Sequence, residues 1–307
     1  MADLIHRETD GVFVISATPF TDDGALDLES ADSLVEFYLD RGVSGMTVLG
    51  MMGEAPKLSM EEATQFLDRV LSRVNGRVPV IVGVTAPGLD PLRTLSHDAM
   101  ARGAAGVMVA PPTGLGHETR VGAYFADICT ALGPDVPICL QDYPQATGVK
   151  LSVETILRLA RDHPQIVMLK HEDWPGLTKL SRVRAEAVPR LSILTGNGAL
   201  FLDQEMRRGA DGAMTGFAYP EMMVDVVAAG LAGDHDRAAD VFDAYLPMIR
   251  YEQQAGLGLA LRKETLRRRG AIRCAAVRAP GAGLTGADLD DLTRIAGRLE
   301  ARLKEIG

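Results

Sequence analysis

The stretch QIVMLKHED, residues 165–173, carries no charge from Ile166 to Leu169 and then closes on Lys170, with Glu172 two residues on. Lysine is scarce in this chain, six against 26 arginines, so a lysine ending an apolar run stands apart from the rest of its positive charge. An amine that attacks a ketone must be neutral. Bringing its pKa from about 10.4 toward 7 takes roughly 4 to 5 kcal/mol of lost ammonium solvation, which an apolar surround supplies. The imine that results is an electron sink and permits carbanion chemistry at the neighbouring carbon. The same position also suits an ion pair between Lys170 and Glu172, and position alone leaves both readings open.

Stepping outward along the chain, short apolar runs rich in β-branched residues alternate with segments of helical period, the pattern of parallel strands joined by crossover helices. Eight strand candidates occur: GVFVIS from Gly11, GMTVLG from Gly45, VPVIVGV from Val78, GVMVA from Gly106, VPICLQ from Val136, IVMLK from Ile166, LSILTG from Leu191 and DGAMTG from Asp211. Helices are expected between them, for example over 27–41, 59–74, 91–102 and 152–162, the second opening on a capping box of Ser59 and Glu62. Eight β-α units predict an α/β fold of the TIM (β/α)8 barrel type. A doubly wound sheet is the alternative, but neither GxGxxG nor a Walker motif is present. In a barrel, catalytic groups sit at the C-terminal ends of strands, which is where Lys170 closes the sixth candidate. After Gly233 the strand signals stop and helical stretches follow near 234–253, 256–269 and 285–304. The expected organisation is a barrel over 1–233 and a C-terminal helical extension over 234–307.

Composition narrows the class of function. At 307 residues, 47% hydrophobic and 24% charged, the chain matches soluble globular proteins, and no apolar run approaches the roughly 20 residues of a membrane span. The opening MADLIHRETD has charges and no apolar h-region, so a cytoplasmic location is expected. A net charge of −9 argues against non-specific nucleic-acid binding. Cys129, Cys139 and Cys274 form no CxxC pair and, with the histidines, no zinc spacing, so they are expected as buried thiols, with no metal site. The basic run 262–273, RKETLRRRGAIR, is expected as a solvated helix face.

Several segments together resemble the family of Schiff-base class I lyases that contains dihydrodipicolinate synthase and N-acetylneuraminate lyase. They are ATPF from Ala17, GMMGEAPKLS from Gly50, QDYPQATG from Gln141, MLKHE from Met168, TGN from Thr195 and GADGAMTG from Gly209, in the family's order and spacing over nearly the whole chain. The resemblance implies that Lys170 is the imine-forming lysine, that no metal or organic cofactor is needed, that the substrate is a small 2-keto acid, and that the chain forms a homotetramer.

Departures from the family pattern bear on the substrate. Where members commonly have Gly-Thr-Thr-Gly-Glu, this chain has Gly50-Met51-Met52-Gly53-Glu54, so both hydroxyls are gone. The backbone N–H groups of that loop can still bind a carboxylate, because they need no particular side chain. The family's catalytic tyrosine position holds Gln141, with Tyr143 two residues on as a possible substitute if the strand stays extended. Ala146 stands where the synthases keep an arginine for the aldehyde substrate, and Pro111-Pro112-Thr113 replaces a loop that carries a tyrosine in them.

The Gln141-Asp142 pair, the Lys-x-Glu pattern and the late segment from Tyr245 to Ile272 more closely resemble the branch that includes 2-keto-3-deoxy-L-arabonate dehydratases. That reading gives Lys170 the imine and Glu172, on the same side of an extended strand, the proton transfer at C3. A simple ion pair with Lys170 is the alternative role for Glu172; Glu54 is an alternative for the proton transfer, with loop bracing its expected role. His171 points the other way by the same alternation. Gly50, Met51, Met52, Gly53, Asp142, Thr113, Gly196, Asn197, Thr215 and Gly216 complete the expected substrate-binding set. Dehydration or aldol cleavage of a 2-keto-3-deoxy sugar acid is the favoured activity. The alternatives are condensation of pyruvate with an aldehyde and a keto-acid sensor without turnover.

Overall fold

Val, Ile, Met and Leu at alternate positions give each short strand two apolar faces, and burying both requires helices outside and a packed bore inside. The computed structural model describes residues 3–306. Its strands are β1 (Gly11–Ile15), β2 (Gly45–Val48), β3 (Val80–Gly83), β4 (Gly106–Val109), β5 (Ile138–Asp142), β6 (Ile166–His171), β7 (Ser192–Thr195) and β8 (Gly212–Ala213). All pair in parallel and in sequence order, and β8 closes back onto β1. This is the TIM barrel expected from the strand count.

Alternation divides the core in two. Val12, Val14, Met46, Val48 and Val107 face outward into one large cluster with the helices. Phe13, Ile15, Ile81, Met108, Cys139, Met168, Leu194 and Met214 face inward and fill the bore. A strand slipped by one residue exchanges these faces, so the packing pins register. The eighth strand, Gly212–Ala213, is shorter than its sequence run, and Gly212 lies tight against β1. A Cβ there would stand 1.9 Å from the Gly11 carbonyl oxygen, and its φ of +155° is one few side-chain-bearing residues adopt.

The helix Met60–Val74 opens with the expected capping box, Ser59 accepting from the Glu62 N–H at 3.1 Å while the Glu62 carboxylate accepts from the Ser59 N–H at 2.9 Å. Beyond the barrel helix Pro220–Leu231 come His235–Glu252, Gly258–Arg268 and Gly286–Ile306. Among the described residues no helix is long and apolar enough to cross a membrane.

Two expectations need correction here. The basic run is solvated only over its second part: Arg267, Arg268 and Arg273 are exposed, but Arg262, Lys263 and Glu264 are buried, Arg262 paired with Glu252 and Lys263 with Glu54. Buried opposite charges satisfy one another, whereas a charge count along the sequence cannot tell a paired run from a wet one. Cys129 and Cys139 are buried as expected, but Cys274 is only half-buried and its Sγ donates to Asp22 Oδ1 at 2.9 Å.

Behind β6 and β7, Glu205 on the helix Leu202–Arg207 is buried, and its Oε2 has no partner among the described residues. Burial pushes its carboxyl up to about 7, against which a bond from Thr195 and the nearby His171 act weakly. The folded chain therefore holds this proton more tightly than the unfolded chain does. The associated stability is full below the unfolded value of about 4.3 and is lost as pH rises through 7. Glu205→Gln cannot titrate, so thermal melts should show the variant near wild type at pH 4. It should gain on wild type up to pH 8, by on the order of 3 kcal/mol at most. A constant difference across that range would contradict the assignment.

Candidate active site

Lys170 is carried on the inward face of β6, one step above Met168, and is 5% exposed. Across the ladder its register partner on β5 is Gln141. Strand pairing continues one residue past β6, since the Glu172 N–H donates to the Asp142 carbonyl at 2.9 Å, so alternation still holds and Glu172 faces the bore with Lys170. Lys170 Nζ lies 3.1 Å from Glu172 Oε2, and Gln141 Nε2 donates to that same oxygen at 2.7 Å. A buried ammonium-carboxylate pair with an amide fixing the carboxylate results. Its geometry serves the ion pair and the proton transfer alike, because Glu172 is in place to exchange a proton with the amine.

The end of β7 makes room for this pair. A Cβ on Gly196 would stand 2.3 Å from Glu172 Cγ and 2.4 Å from its Oε1, so a methyl at that position drives the carboxylate away from Lys170. Asn197 donates from Nδ2 to the Glu172 carbonyl at 3.2 Å, and the Gly198 N–H donates to Thr215 Oγ1 at 2.8 Å. Gly196, Asn197 and Thr215 thus brace the Glu172 side of the site, Thr215 through the turn at Gly198. Gly216 lies against a different group: its Cβ would fall 2.2 Å from Arg262 Nη1.

Three of the expected residues, Asp142, Tyr143 and Thr113, stand otherwise than sequence spacing suggests. Asp142 alternates away from Gln141 and is fully buried on the helix side, where Lys179 Nζ donates to its Oδ2 at 2.6 Å. It supports the strand from behind rather than facing a ligand in the bore. His171 lies beside it, with Nδ1 3.6 Å from the same oxygen and Nε2 3.0 Å from the Gly176 carbonyl.

Tyr143 no longer follows strand alternation. β5 ends at Asp142, and Tyr143, with φ −129° and ψ 72°, is the cap of a short helix Pro144–Thr147. Its hydroxyl stays protonated, pushed up by burial and by the charge of Glu172. Thr113 is exposed and, with Leu49, Met51, Pro111 and Ala146, lines an apolar cavity of about 700 Å³ beside β2 to β4; Lys170 is not in its wall.

Residues 50–53 leave β2 in a single tight turn, Met51–Gly53, with Gly50 in contact distance of Met108 and Ile15 at the top of the bore. Met52 packs on the bore cluster while Met51 is 43% exposed. The first N–H groups of a helical turn have no partner within it, which leaves those of Met51 and Met52 without a bond inside this turn.

Sequence reasoning passed over Thr47, which lies on the inward face of β2, fully buried, its hydroxyl without a partner among the described residues. The signal was its alternation with Met46 and Val48. Among the described residues no three His, Cys, Asp or Glu side chains converge as a metal site.

Comparison with known proteins agrees with this geometry. Residues 8–298 match the model of the Dihydrodipicolinate synthetase family. An L-2-keto-3-deoxyarabonate dehydratase of Azospirillum brasilense is 32% identical over 96% of this chain and 95% of its own. A 4-hydroxy-tetrahydrodipicolinate synthase of Sorangium cellulosum is 35% identical over 73% of this chain and 74% of its own. Among solved structures, a dihydrodipicolinate synthase from Rhodopseudomonas palustris superposes with a TM-score of 0.94 at 46% identity, covering 97% of this chain and all of that one. A match that runs from before β1 into the last helix, over a closed barrel whose sixth strand carries a buried lysine one residue before its end, leaves one assignment: the chain is a lyase of the dihydrodipicolinate synthetase family.

Proposed function

We propose that this lyase acts on a 2-keto acid through an imine at Lys170, and that its reaction is dehydration of a 2-keto-3-deoxy sugar acid. The observation that carries the reading is the Gln141-Glu172-Lys170 chain of contacts, which brings a carboxylate to the amine in a site whose tyrosine position holds Gln141. Glu172 takes a proton from the ammonium, and the freed amine attacks the C2 carbonyl. Glu172 returns that proton to the carbinolamine hydroxyl, which leaves as water and gives the protonated imine. The carboxylate of Glu172 then removes a C3 proton, the electron pair passes into the imine as an enamine, and the enamine expels hydroxide from C4, which takes the proton back from Glu172 and leaves as water. Hydrolysis of the imine returns Lys170. No second carbonyl substrate enters, which suits a site with Ala146 in place of an aldehyde-binding arginine. The substrate's carboxylate sits on the N–H groups of residues 51–52.

The synthase named among the relatives favours a second reading, in which the enamine of pyruvate attacks an aldehyde or the reverse cleavage occurs. Incubation with 2-keto-3-deoxy acids and no added acceptor decides between them. The proposal expects dehydrated keto acid and no pyruvate. Release of pyruvate with an aldehyde assigns aldol cleavage, and imine trapping without product assigns a binding protein. A cytoplasmic homotetramer belongs to the same reading on the strength of the family resemblance, and sedimentation of the purified protein tests the assembly.

A further inference from the structure

The corner after the substrate loop is built from groups far apart in sequence. Glu54 has φ +56°, in the left-handed region that side-chain-bearing residues adopt only when their surroundings hold them there, and it is 1% exposed. Its Oε1 accepts from Lys263 Nζ at 2.5 Å, and its Oε2 accepts from Lys57 Nζ at 2.9 Å and from the Arg278 N–H at 3.0 Å. Lys263 is wholly buried, donates also to the Ala276 carbonyl at 2.8 Å, and stands 4.4 Å above the Phe20 ring. Lys57 donates to the Arg278 carbonyl at 2.7 Å. On the other side, the Thr18 hydroxyl donates to the Gly53 carbonyl at 2.5 Å. The segment after β1, the helix Gly258–Arg268 and residues 276–278 therefore converge on one carboxylate beside one turn.

An apolar corner would avoid the desolvation of two charges. What charged, directional bonds add is a fixed angle and height. We propose that Glu54 is a positioning residue. Through Lys263 and residues 276–278, the C-terminal helices set the N–H groups of Met51 and Met52 against Lys170, so that a keto acid gripped by its carboxylate presents C2 to the amine. This rests on the reading of residues 51–52 as the carboxylate site. The C-terminal extension is then part of the substrate grip and not an appendage to the barrel.

The test is borohydride trapping of the full chain with pyruvate and with acetone, which has the ketone without the carboxylate. Lys263→Met should raise half-saturating pyruvate roughly tenfold or more while leaving the acetone curve within about twofold. On the 2-keto acid substrate, KM should rise roughly tenfold with kcat within about threefold, the signature of lost uniform binding. If Lys263→Met does not fold, the pair Glu54→Gln with Lys263→Met removes both charges together, and Lys57→Met, at the solvent edge of the cluster, makes the same test with a smaller effect. Equal weakening for both ketones, or none for either, overturns the proposal. Wild type that labels equally well with both ketones overturns the carboxylate reading and the positioning role with it. Wild type that pyruvate does not label overturns the imine itself.

Discussion

Lys170→Met loses all borohydride-dependent labelling by pyruvate and drops kcat by about 10,000-fold or more, because the covalent intermediate has no substitute nucleophile. The neighbouring groups support this. Cys139, one level down on β5, is a thiol that burial pushes up to about 12, and Lys179 and Lys263 are held by Asp142 and Glu54 away from the bore. Lys57 is likewise tied to Glu54. The methionine packs above Met168 and Gln141 still bonds Glu172, so the fold should persist at lower stability, Glu172 having lost its charge partner. The circular dichroism spectrum should therefore match wild type. Mass spectrometry of the trapped adduct gives the decisive reading: a label that persists in the variant, or that maps to another residue in wild type, removes Lys170 from the mechanism.

The second large effect is expected for Glu172→Gln, which keeps shape and removes the exchangeable proton. General acid-base catalysis is commonly worth about 100- to 10,000-fold, so kcat should fall by that much while the imine still forms. Trapping should slow, because the carboxylate 3.1 Å from Nζ no longer frees the amine, yet reach the same plateau. Solvent deuterium exchange into the C3 position of bound pyruvate should fall in step with kcat. An exchange rate equal to wild type would give the proton transfer to another group and leave Glu172 as an ion-pair partner alone. Gln141→Leu is the milder companion: it removes the 2.7 Å bond that aims the carboxylate, and a loss well short of the Glu172 variant marks an orienting role.

These two variants separate the two roles that were entangled at the start. Lys170 and Glu172 do form the buried ion pair that charge complementarity suggests, and the pair is also the geometry a proton transfer requires. Either role needs Gly196 to lack a side chain. The space it leaves, with a Cβ only 2.3 Å from Glu172 Cγ, fits a carboxylate held in one place.

Much of this was legible without coordinates, for definite reasons. Strand period two and helix period 3.6 are local properties, so the eight strand runs, the capping box at Ser59 and the inward direction of Lys170 and Glu172 follow from neighbours in sequence. Local rules fail where the chain leaves its period. Tyr143 is two residues past Gln141, but β5 ends at Asp142 and Tyr143 caps the helix Pro144–Thr147, so strand alternation no longer sets where it points. Asp142 belongs to a quoted motif and nevertheless faces Lys179, because adjacent strand residues point to opposite faces.

By itself the amino-acid sequence determined the barrel, the lysine at the end of β6 and the carboxylate beside it, since each depends on spacing over a few residues. Only the tertiary structure decided what surrounds them: Gln141 bonded to Glu172 across the ladder, Gly196 yielding space to it, and Glu54 tied to Lys263, 209 residues away. Such contacts arise from barrel closure and from the return of the C-terminal helices. Burial then turns Arg262 and Lys263, the start of a basic run that looks solvated, into paired charge, because what an ionic side chain does depends on whether water or a partner meets it.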